Sequence, residues 1–176
     1  MAAGVLLDTS FLITLADKNR PHHRDAKQYW RYFLQNNIPI YLSTIVVSEF
    51  EIKQPIGPEI LRHCLLLPFN YQDAKKAASL NFDLFKPTAS SRDALKDDVK
   101  LIAQACVKDV AFVITDDVET FYKYCVRLKE QGILSFKAIK LQDGFDKAFF
   151  ANGQRDFDQQ LEPPSEEDST EARPES

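Results

Sequence analysis

Short apolar runs alternate along this chain with longer segments in which apolar residues recur every three or four positions. The apolar runs, typical of buried strands, lie at residues 5–7, 40–42, 65–67, 111–114 and 136–141. The periodic segments predict helices over residues 11–16, 22–35, 44–53, 72–85, 93–108 and 117–130, and Pro58 predicts one more helix start. Repeated alternation of strand and helix predicts an α/β fold, in which a central parallel sheet of about four or five strands carries helices on both faces.

The length and composition of the chain predict one folded domain with an acidic tail. With 176 residues, of which 44% are hydrophobic, the chain can bury one core but is short for a second full domain. We expect the domain to span residues 1–145, and residues 146–176 to form a disordered tail rich in Pro, Glu and Ser. Residues 151–176 contain two Arg and eight Asp or Glu, so they contribute −6 to the net charge of −4 and leave a slightly basic body.

The cysteines and the hydropathy pattern indicate the compartment. The three cysteines are odd in number and form no CxxC pair, which favours a reducing cytoplasm over a disulfide framework or a zinc site. The apolar run at residues 5–7 is too short for a signal-peptide core, and no run approaches the length of a membrane-spanning helix. We therefore expect a cytoplasmic protein with no membrane partner.

Two acidic residues, Asp8 and Asp117, follow predicted strands. In open parallel sheets, ligands bind beyond the carboxyl ends of the strands, where these two side chains are expected to lie. Asp116 precedes Glu119 by three residues, a spacing typical of a capping box, so Asp116 is the expected helix cap and Asp117 the expected site residue. Asp8 has an alternative role as the cap of the helix that follows it.

Helical spacing directs two further acids, Glu49 and Asp98, toward the core. Asp98 stands three, four and seven residues before apolar residues of its helix and shares their face, whereas Asp97 is about 100° away and should face solvent. Glu49 lies on one stripe with Ile52, whereas Glu51 is nearly opposite and should be exposed. The helix dipole offers Asp98 an alternative explanation, but a mid-helix Glu among apolar residues needs a partner.

The four inward-directed carboxylates predict a metal site, because buried charge is costly unless it is paired or bound to a cation. Carboxylate oxygens without a His or Cys in the pattern favour Mg²⁺ or Mn²⁺ over zinc. Ser10 and Thr115 are candidates for hydrogen bonds that orient the acids, with ordinary turn or cap hydroxyls as the alternative.

Four segments resemble the motifs of PIN-domain nucleases, in the order in which that family carries them. They are residues 5–13, which read VLLDTSFLI; residues 43–49, STIVVSE; residues 98–105, DVKLIAQA; and residues 113–117, VITDD. The resemblance extends over residues 4–141 and implies the PIN-like form of the predicted α/β fold.

The resemblance also implies a metal-dependent endoribonuclease that hydrolyses RNA phosphodiester bonds. It assigns catalysis and metal binding to Asp8, Glu49, Asp98 and Asp117, with Mg²⁺ or Mn²⁺ as the cofactor and Asp116 as the less favoured ligand. One or two such ions would hold the scissile phosphate and activate a water. Small members of the family include the VapC-like toxins of toxin–antitoxin pairs, which implies a protein antitoxin and a homodimer as further partners.

Basic residues near these motifs are candidates for contacts with RNA phosphates, with a solvated helix face as the alternative. They are Lys18, Arg20, Arg24, Lys27, Arg31, Lys53, Arg92, Lys96 and Lys100. Three other functions remain open: an RNA-processing nuclease outside toxin–antitoxin pairs, a PIN-like scaffold that binds RNA or protein without cutting, and another phosphohydrolase. A phosphohydrolase of the haloacid-dehalogenase type is disfavoured, because it needs a second Asp where Ser10 stands.

Overall fold

A computed structural model describes residues 4–80 and 92–150, with the side chains of residues 92–95 left aside. Residues up to Phe145 belong to one compact unit, and Asp146–Phe150 belong to a second. Of the tail predicted to be disordered, residues 146–176, the structure describes only residues 146–150, and residues 151–176 lie outside the described residues. Within the described residues, no helix is both long and apolar enough to cross a membrane.

Strands and helices alternate along the first unit. The described strands are β1 (Val5–Leu7), β2 (Ile40–Ser43), β3 (Cys64–Leu67), β4 (Phe112–Thr115) and β5 (Lys137–Lys140). The described α-helices are α1 (Thr9–Ala16), α2 (His23–Gln35), α3 (Thr44–Phe50), α4 (Pro58–Leu61), α5 (Tyr71–Ser79), α6 (Arg92–Lys108) and α7 (Lys123–Glu130). A π-helical turn, Val118–Tyr122, precedes α7, and a 3₁₀ turn, Leu141–Asp143, follows β5.

These strands form one parallel sheet in the order β3-β2-β1-β4-β5. The register places Leu7 of β1 opposite Leu42 of β2 on one side and opposite Ile114 of β4 on the other. After β1, the chain adds β2 and β3 on one side of β1. It then returns to the other side of β1 and adds β4 and β5 there. The order therefore reverses between β1 and β4, and such a reversal opens a crevice at the carboxyl ends of the two strands.

Burial follows the position of each strand in the sheet. All three residues of the central strand β1 have 0% exposure, because right-handed connections cover both faces of a parallel sheet with helices. The edge strand β3 is more open, with Leu65 at 54% and Leu66 at 57% exposure. The predicted α/β fold with its central parallel sheet is confirmed.

Three helix ends differ most from the sequence predictions. The helix predicted over residues 44–53 ends at Phe50, so Ile52 lies beyond it and is 82% exposed; its predicted place on the buried stripe of Glu49 is wrong. The helix predicted over 72–85 is observed as Tyr71–Ser79, and residues 81–85 lie outside the described residues. The helix predicted from residue 117 begins as the π-helical turn, with Asp117 as its cap.

Ser43 provides a test of how β2 passes into α3, the helix that carries Glu49. Its buried hydroxyl accepts the N–H of Ile45 at 3.0 Å and caps the helix. We expect Ser43→Ala to lower the free energy of unfolding by about 1 kcal/mol, because a helix N–H loses its acceptor. This loss corresponds to a fall in Tm of about 2–4 °C for a chain of this size.

Ser48 is the matched control, because it is an exposed serine within the same helix whose hydroxyl donates to the carbonyl of Ile45. Ser48→Ala should change the stability by less than about 0.5 kcal/mol, since it removes no cap. Equal melting temperatures for the two variants in thermal unfolding would contradict the capping role of Ser43.

Candidate functional site

A cavity of about 750 Å³ lies at the crevice between the carboxyl ends of β1 and β4. All four acids singled out in the sequence line it: Asp8 after β1, Glu49 on α3, Asp98 on α6 and Asp117 after β4. The four residues come from four separate parts of the chain, and the fold brings them together in one place.

Two hydroxyl groups fix the carboxylate of Asp8. The Ser10 hydroxyl donates to Asp8 Oδ2 at 2.5 Å, and the Thr115 hydroxyl donates to the same oxygen at 2.8 Å. Asp8 also accepts the Ser10 backbone N–H at 3.4 Å and caps α1, so its alternative role as a cap is real and coexists with its place in the cavity.

The same two hydroxyls bind the backbone that follows β4. Ser10 Oγ accepts the N–H groups of Asp116 at 2.8 Å and of Asp117 at 3.1 Å, and Thr115 Oγ1 accepts the Asp117 N–H at 2.9 Å. Each hydroxyl therefore donates to Asp8 and accepts from the β4 end. This bridge fixes the position of Asp117 relative to Asp8.

Asp117, and not Asp116, caps the π-helical turn. Its Oδ1 accepts the Thr120 N–H at 2.9 Å, and the Thr120 hydroxyl donates to Oδ2. The predicted capping box of Asp116 and Glu119 is therefore wrong. Glu119 instead pairs with Lys123 at 2.5 Å on the surface.

Asp116 is held by residues of α1 and the turn after it. Its Oδ2 accepts the hydroxyl of the fully buried Thr14 at 2.7 Å and lies 3.6 Å from Nη2 of Arg20. The two neighbouring acids thus have different surroundings, with Asp117 on the cavity and Asp116 against α1.

Glu49 and Asp98 differ in how they are held. The Thr9 hydroxyl donates to Glu49 Oε2, an interaction that the sequence did not reveal. Asp98 Oδ2 is buried and has no hydrogen-bond partner within the described part of the chain. A buried carboxylate oxygen without a partner is costly, and of the four acids predicted from the sequence Asp98 is the one that has such an oxygen within the described residues. Asp116 Oδ1 is also buried and unpartnered there, but Asp116 does not line the cavity.

The neighbours of these two acids follow the helical geometry. Asp97 forms an ion pair with Lys100 at 2.7 Å, and Glu51 is exposed and accepts the Ile56 N–H at 3.3 Å. Lys100 was considered as a contact for RNA phosphates, and this ion pair gives it an acidic partner within the protein.

Burial and mutual repulsion raise the proton affinity of the cluster. The pKa of Asp98 rises to about 8, because burial and then the charges of Asp8, Asp117, Glu49 and, last, Asp97 all disfavour its ionised form. Burial also raises the pKa of Asp8, although the hydrogen bonds from Ser10 and Thr115 oppose the rise. The pKa of Glu49 is raised by burial, against the hydrogen bond from Thr9.

The donor set fits a hard divalent cation, although the carboxylates do not converge as they stand. Among the side chains that the structure describes, no three of His, Cys, Asp or Glu are close enough together to hold a metal ion directly. The acids nevertheless line one cavity, repel one another and leave one buried oxygen unpartnered. Mg²⁺ keeps several of its waters and needs only one or two carboxylates, so such a spread set suits it.

The rim of the cavity carries further charges. Arg20 and Lys53 line it, which selects these two from the nine cations considered in the sequence. Asp17 also lines it, and sequence reasoning missed this residue; it is exposed and accepts the Asn19 N–H at 2.9 Å. Near the rim, Nδ1 of His23 lies 3.0 Å from the carbonyl oxygen of Thr14.

Comparisons with known proteins give likeness in structure and none in sequence. No protein-family model and no curated protein matches the chain. VapBC2 from Rickettsia felis, solved bound to a DNA fragment from its promoter, matches with a TM-score of 0.52 and 13% identity. The match covers 77% of this chain and 98% of that one.

DNA-bound VapBC from Salmonella typhimurium matches with a TM-score of 0.50 and 16% identity, over 78% of this chain and 98% of that one. At such low identity, the likeness concerns the fold alone. The predicted resemblance to PIN-domain, VapC-like proteins is confirmed at that level, and this chain has the PIN-like fold.

Proposed function

We propose that this protein is a divalent-metal-dependent endoribonuclease. The observation that carries the proposal is the placement of Asp8, Glu49, Asp98 and Asp117 around one cavity, with Asp98 Oδ2 buried and lacking a hydrogen-bond partner among the described residues. The PIN-like fold and the four motif segments support the assignment to RNA.

Asp8, Asp98 and Asp117 would hold Mg²⁺ or Mn²⁺, each directly or through a water of the ion. The ion would supply a Lewis acid for the scissile phosphate and lower the pKa of a bound water. Asp8 and Asp117 are oriented in advance, because the hydroxyls of Ser10 and Thr115 bind both the first carboxylate and the backbone of the second. Glu49 binds the cation or orients the attacking water, and Thr9 holds its carboxylate in place.

Asp98→Asn tests this assignment, with Asp97→Asn as the matched control on the same helix. Wild-type protein with Mg²⁺ or Mn²⁺ should cleave single-stranded RNA. Asp98→Asn should lower the cleavage rate by at least about 100-fold, since even outer-shell changes at metal sites cost 10–100-fold. Asp97→Asn should retain activity, because Asp97 is paired with Lys100.

The measurement is cleavage of a labelled oligoribonucleotide, together with Mn²⁺ titration of both variants. Absence of cleavage by the wild type with either metal would refute the proposal. Equal losses of activity and Mn²⁺ affinity in the two variants would also refute the role given to Asp98.

The raised pKa of Asp98 predicts how stability depends on pH without metal. Between its ordinary value of 3.8 and about 8, the folded state binds a proton at Asp98 that the unfolded state releases, so stability falls as the pH rises through this range. Asp98→Asn removes this loss. At pH 8 in EDTA the variant should melt above the wild type by at least about 2 °C, and near pH 4 the two should melt together.

Added Mn²⁺ should reverse the order at pH 8, because a cation that binds only the folded state stabilises the wild type. Thermal unfolding in EDTA and in Mn²⁺ measures both effects. Asp97→Asn removes only the smallest of the charges that raise the pKa of Asp98, so it should change the pH dependence less than Asp98→Asn does. If the wild type and Asp98→Asn show the same pH dependence, Asp98 does not carry the repulsion assigned to it.

We further propose that the protein acts as the toxin of a toxin–antitoxin pair and binds a protein antitoxin. The likeness to two VapBC structures supports this finer assignment. Induced expression in a bacterial host should arrest growth, and Asp98→Asn at equal expression should not. RNA cleavage in vitro without growth arrest would favour an RNA-processing nuclease instead.

A further inference from the structure

Arg20 lines the cavity from the turn that follows α1, and its guanidinium is anchored from behind. Nε donates to the Thr14 hydroxyl at 3.3 Å, and Nη2 lies 3.6 Å from Asp116 Oδ2. The Arg20 side chain is 39% exposed, whereas the Asp116 side chain is only 6% exposed. The cation therefore stands between a buried acid and the open cavity.

Thr14 and the turn that carries Arg20 are themselves fixed by burial and hydrogen bonds. Thr14 has 0% exposure, and its hydroxyl donates to Asp116 Oδ2 at 2.7 Å. The backbone N–H of Arg20 donates to the carbonyl of Asp17 at 3.1 Å, which holds the turn from its other end. The guanidinium is thereby held in position before any ligand arrives.

An anchored guanidinium at this place suits a phosphate. Arginine has five N–H donors, and the contacts with Thr14 and Asp116 engage only one edge of the group. Within the described residues, the ion pair of Arg20 is with Asp116 and not with an acid that lines the cavity, so this pair leaves the other donors of the guanidinium to a ligand. A planar donor set fits phosphate oxygens in pairs, and anchoring reduces the entropy lost on binding.

We propose that Arg20 binds a phosphate of the RNA strand next to the scissile one, and that Asp116 is its positioning residue and not a metal ligand. This inference rests on the proposed nuclease function. It divides the adjacent acids between two tasks: Asp117 belongs to the metal-binding set, and Asp116 orients the cation that holds the substrate.

The test compares Arg20→Gln, Asp116→Asn and Asp117→Asn with Lys123→Ala, which removes an exposed charge that pairs with Glu119 on the surface. The measurements are Mn²⁺ affinity by calorimetry and steady-state cleavage of a single-stranded oligoribonucleotide over a range of KCl concentrations. Arg20 is partly exposed, so its variant should fold, and thermal unfolding of every variant checks this.

Arg20→Gln should raise KM about tenfold with kcat changed less than about twofold, since a charged hydrogen bond to phosphate is lost from binding. The slope of log(kcat/KM) against log[KCl] should become shallower by about 0.7, the value for one phosphate contact on a single strand. Asp116→Asn should raise KM in the same direction and leave Mn²⁺ affinity unchanged, whereas Asp117→Asn should weaken Mn²⁺ binding.

Three results would overturn the inference. If Arg20→Gln matches Lys123→Ala in KM and salt slope, Arg20 binds no phosphate. If Asp116→Asn weakens Mn²⁺ binding as Asp117→Asn does, Asp116 is a ligand. If the wild type cleaves no RNA with either metal, the proposed function fails and the inference fails with it, so the wild-type control separates the two kinds of failure.

Discussion

Asp98 carries its carboxylate into a cavity that Asp8, Glu49 and Asp117 already line, and no described residue gives its buried Oδ2 a hydrogen bond. The repulsion among these acids is the constraint on which the rest of the site depends. Burial and, after it, this repulsion raise the pKa of Asp98 to about 8, so without a metal ion the site favours, near neutral pH, a proton at Asp98 over a fourth charge. A divalent cation would replace that proton. The protein would therefore bind the cation most tightly at the higher pH, at which the metal-free protein is least stable.

The surrounding hydroxyls show how the fold tolerates this charge without neutralising it. Ser10 and Thr115 stabilise Asp8, Thr9 holds Glu49, and Thr120 holds Asp117, whereas Asp98 receives no such donor from the described residues. Hydroxyl donors lower the cost of burying a carboxylate but leave its charge intact. Lysine or arginine side chains in the same positions would have neutralised the carboxylates with positive charge from the protein itself. Neutral donors keep three acids oriented and available for an external cation.

The strands and the inward direction of the acids were predictable from the sequence, and the contacts at turns were not. Short apolar runs identify the strands, and helical spacing separates Asp98 from Asp97, because both signals depend only on local periodicity. The helix carrying Glu49 ends at Phe50, so the helical spacing that was used to place Ile52 does not apply two residues beyond that end. Arg20 could not be distinguished from eight other cations, since its position depends on Asp116, which lies far along the chain.

The division between Asp116 and Asp117 is made at the end of β4 by hydroxyls of the facing helix α1. Asp117 has extended backbone and caps the turn that follows it, whereas the side chain of Asp116 contacts Thr14 of α1. On the facing helix α1, Ser10 and Thr14 are one turn apart and present their hydroxyls on one face. Ser10 meets Asp8 and the backbone of Asp117, while Thr14 meets Asp116. A capping-box spacing alone cannot reveal this arrangement, because the decisive contacts come from another element. The hydroxyl pair of α1 assigns each acid its neighbour, and it makes the exchange of roles between the two residues physically costly.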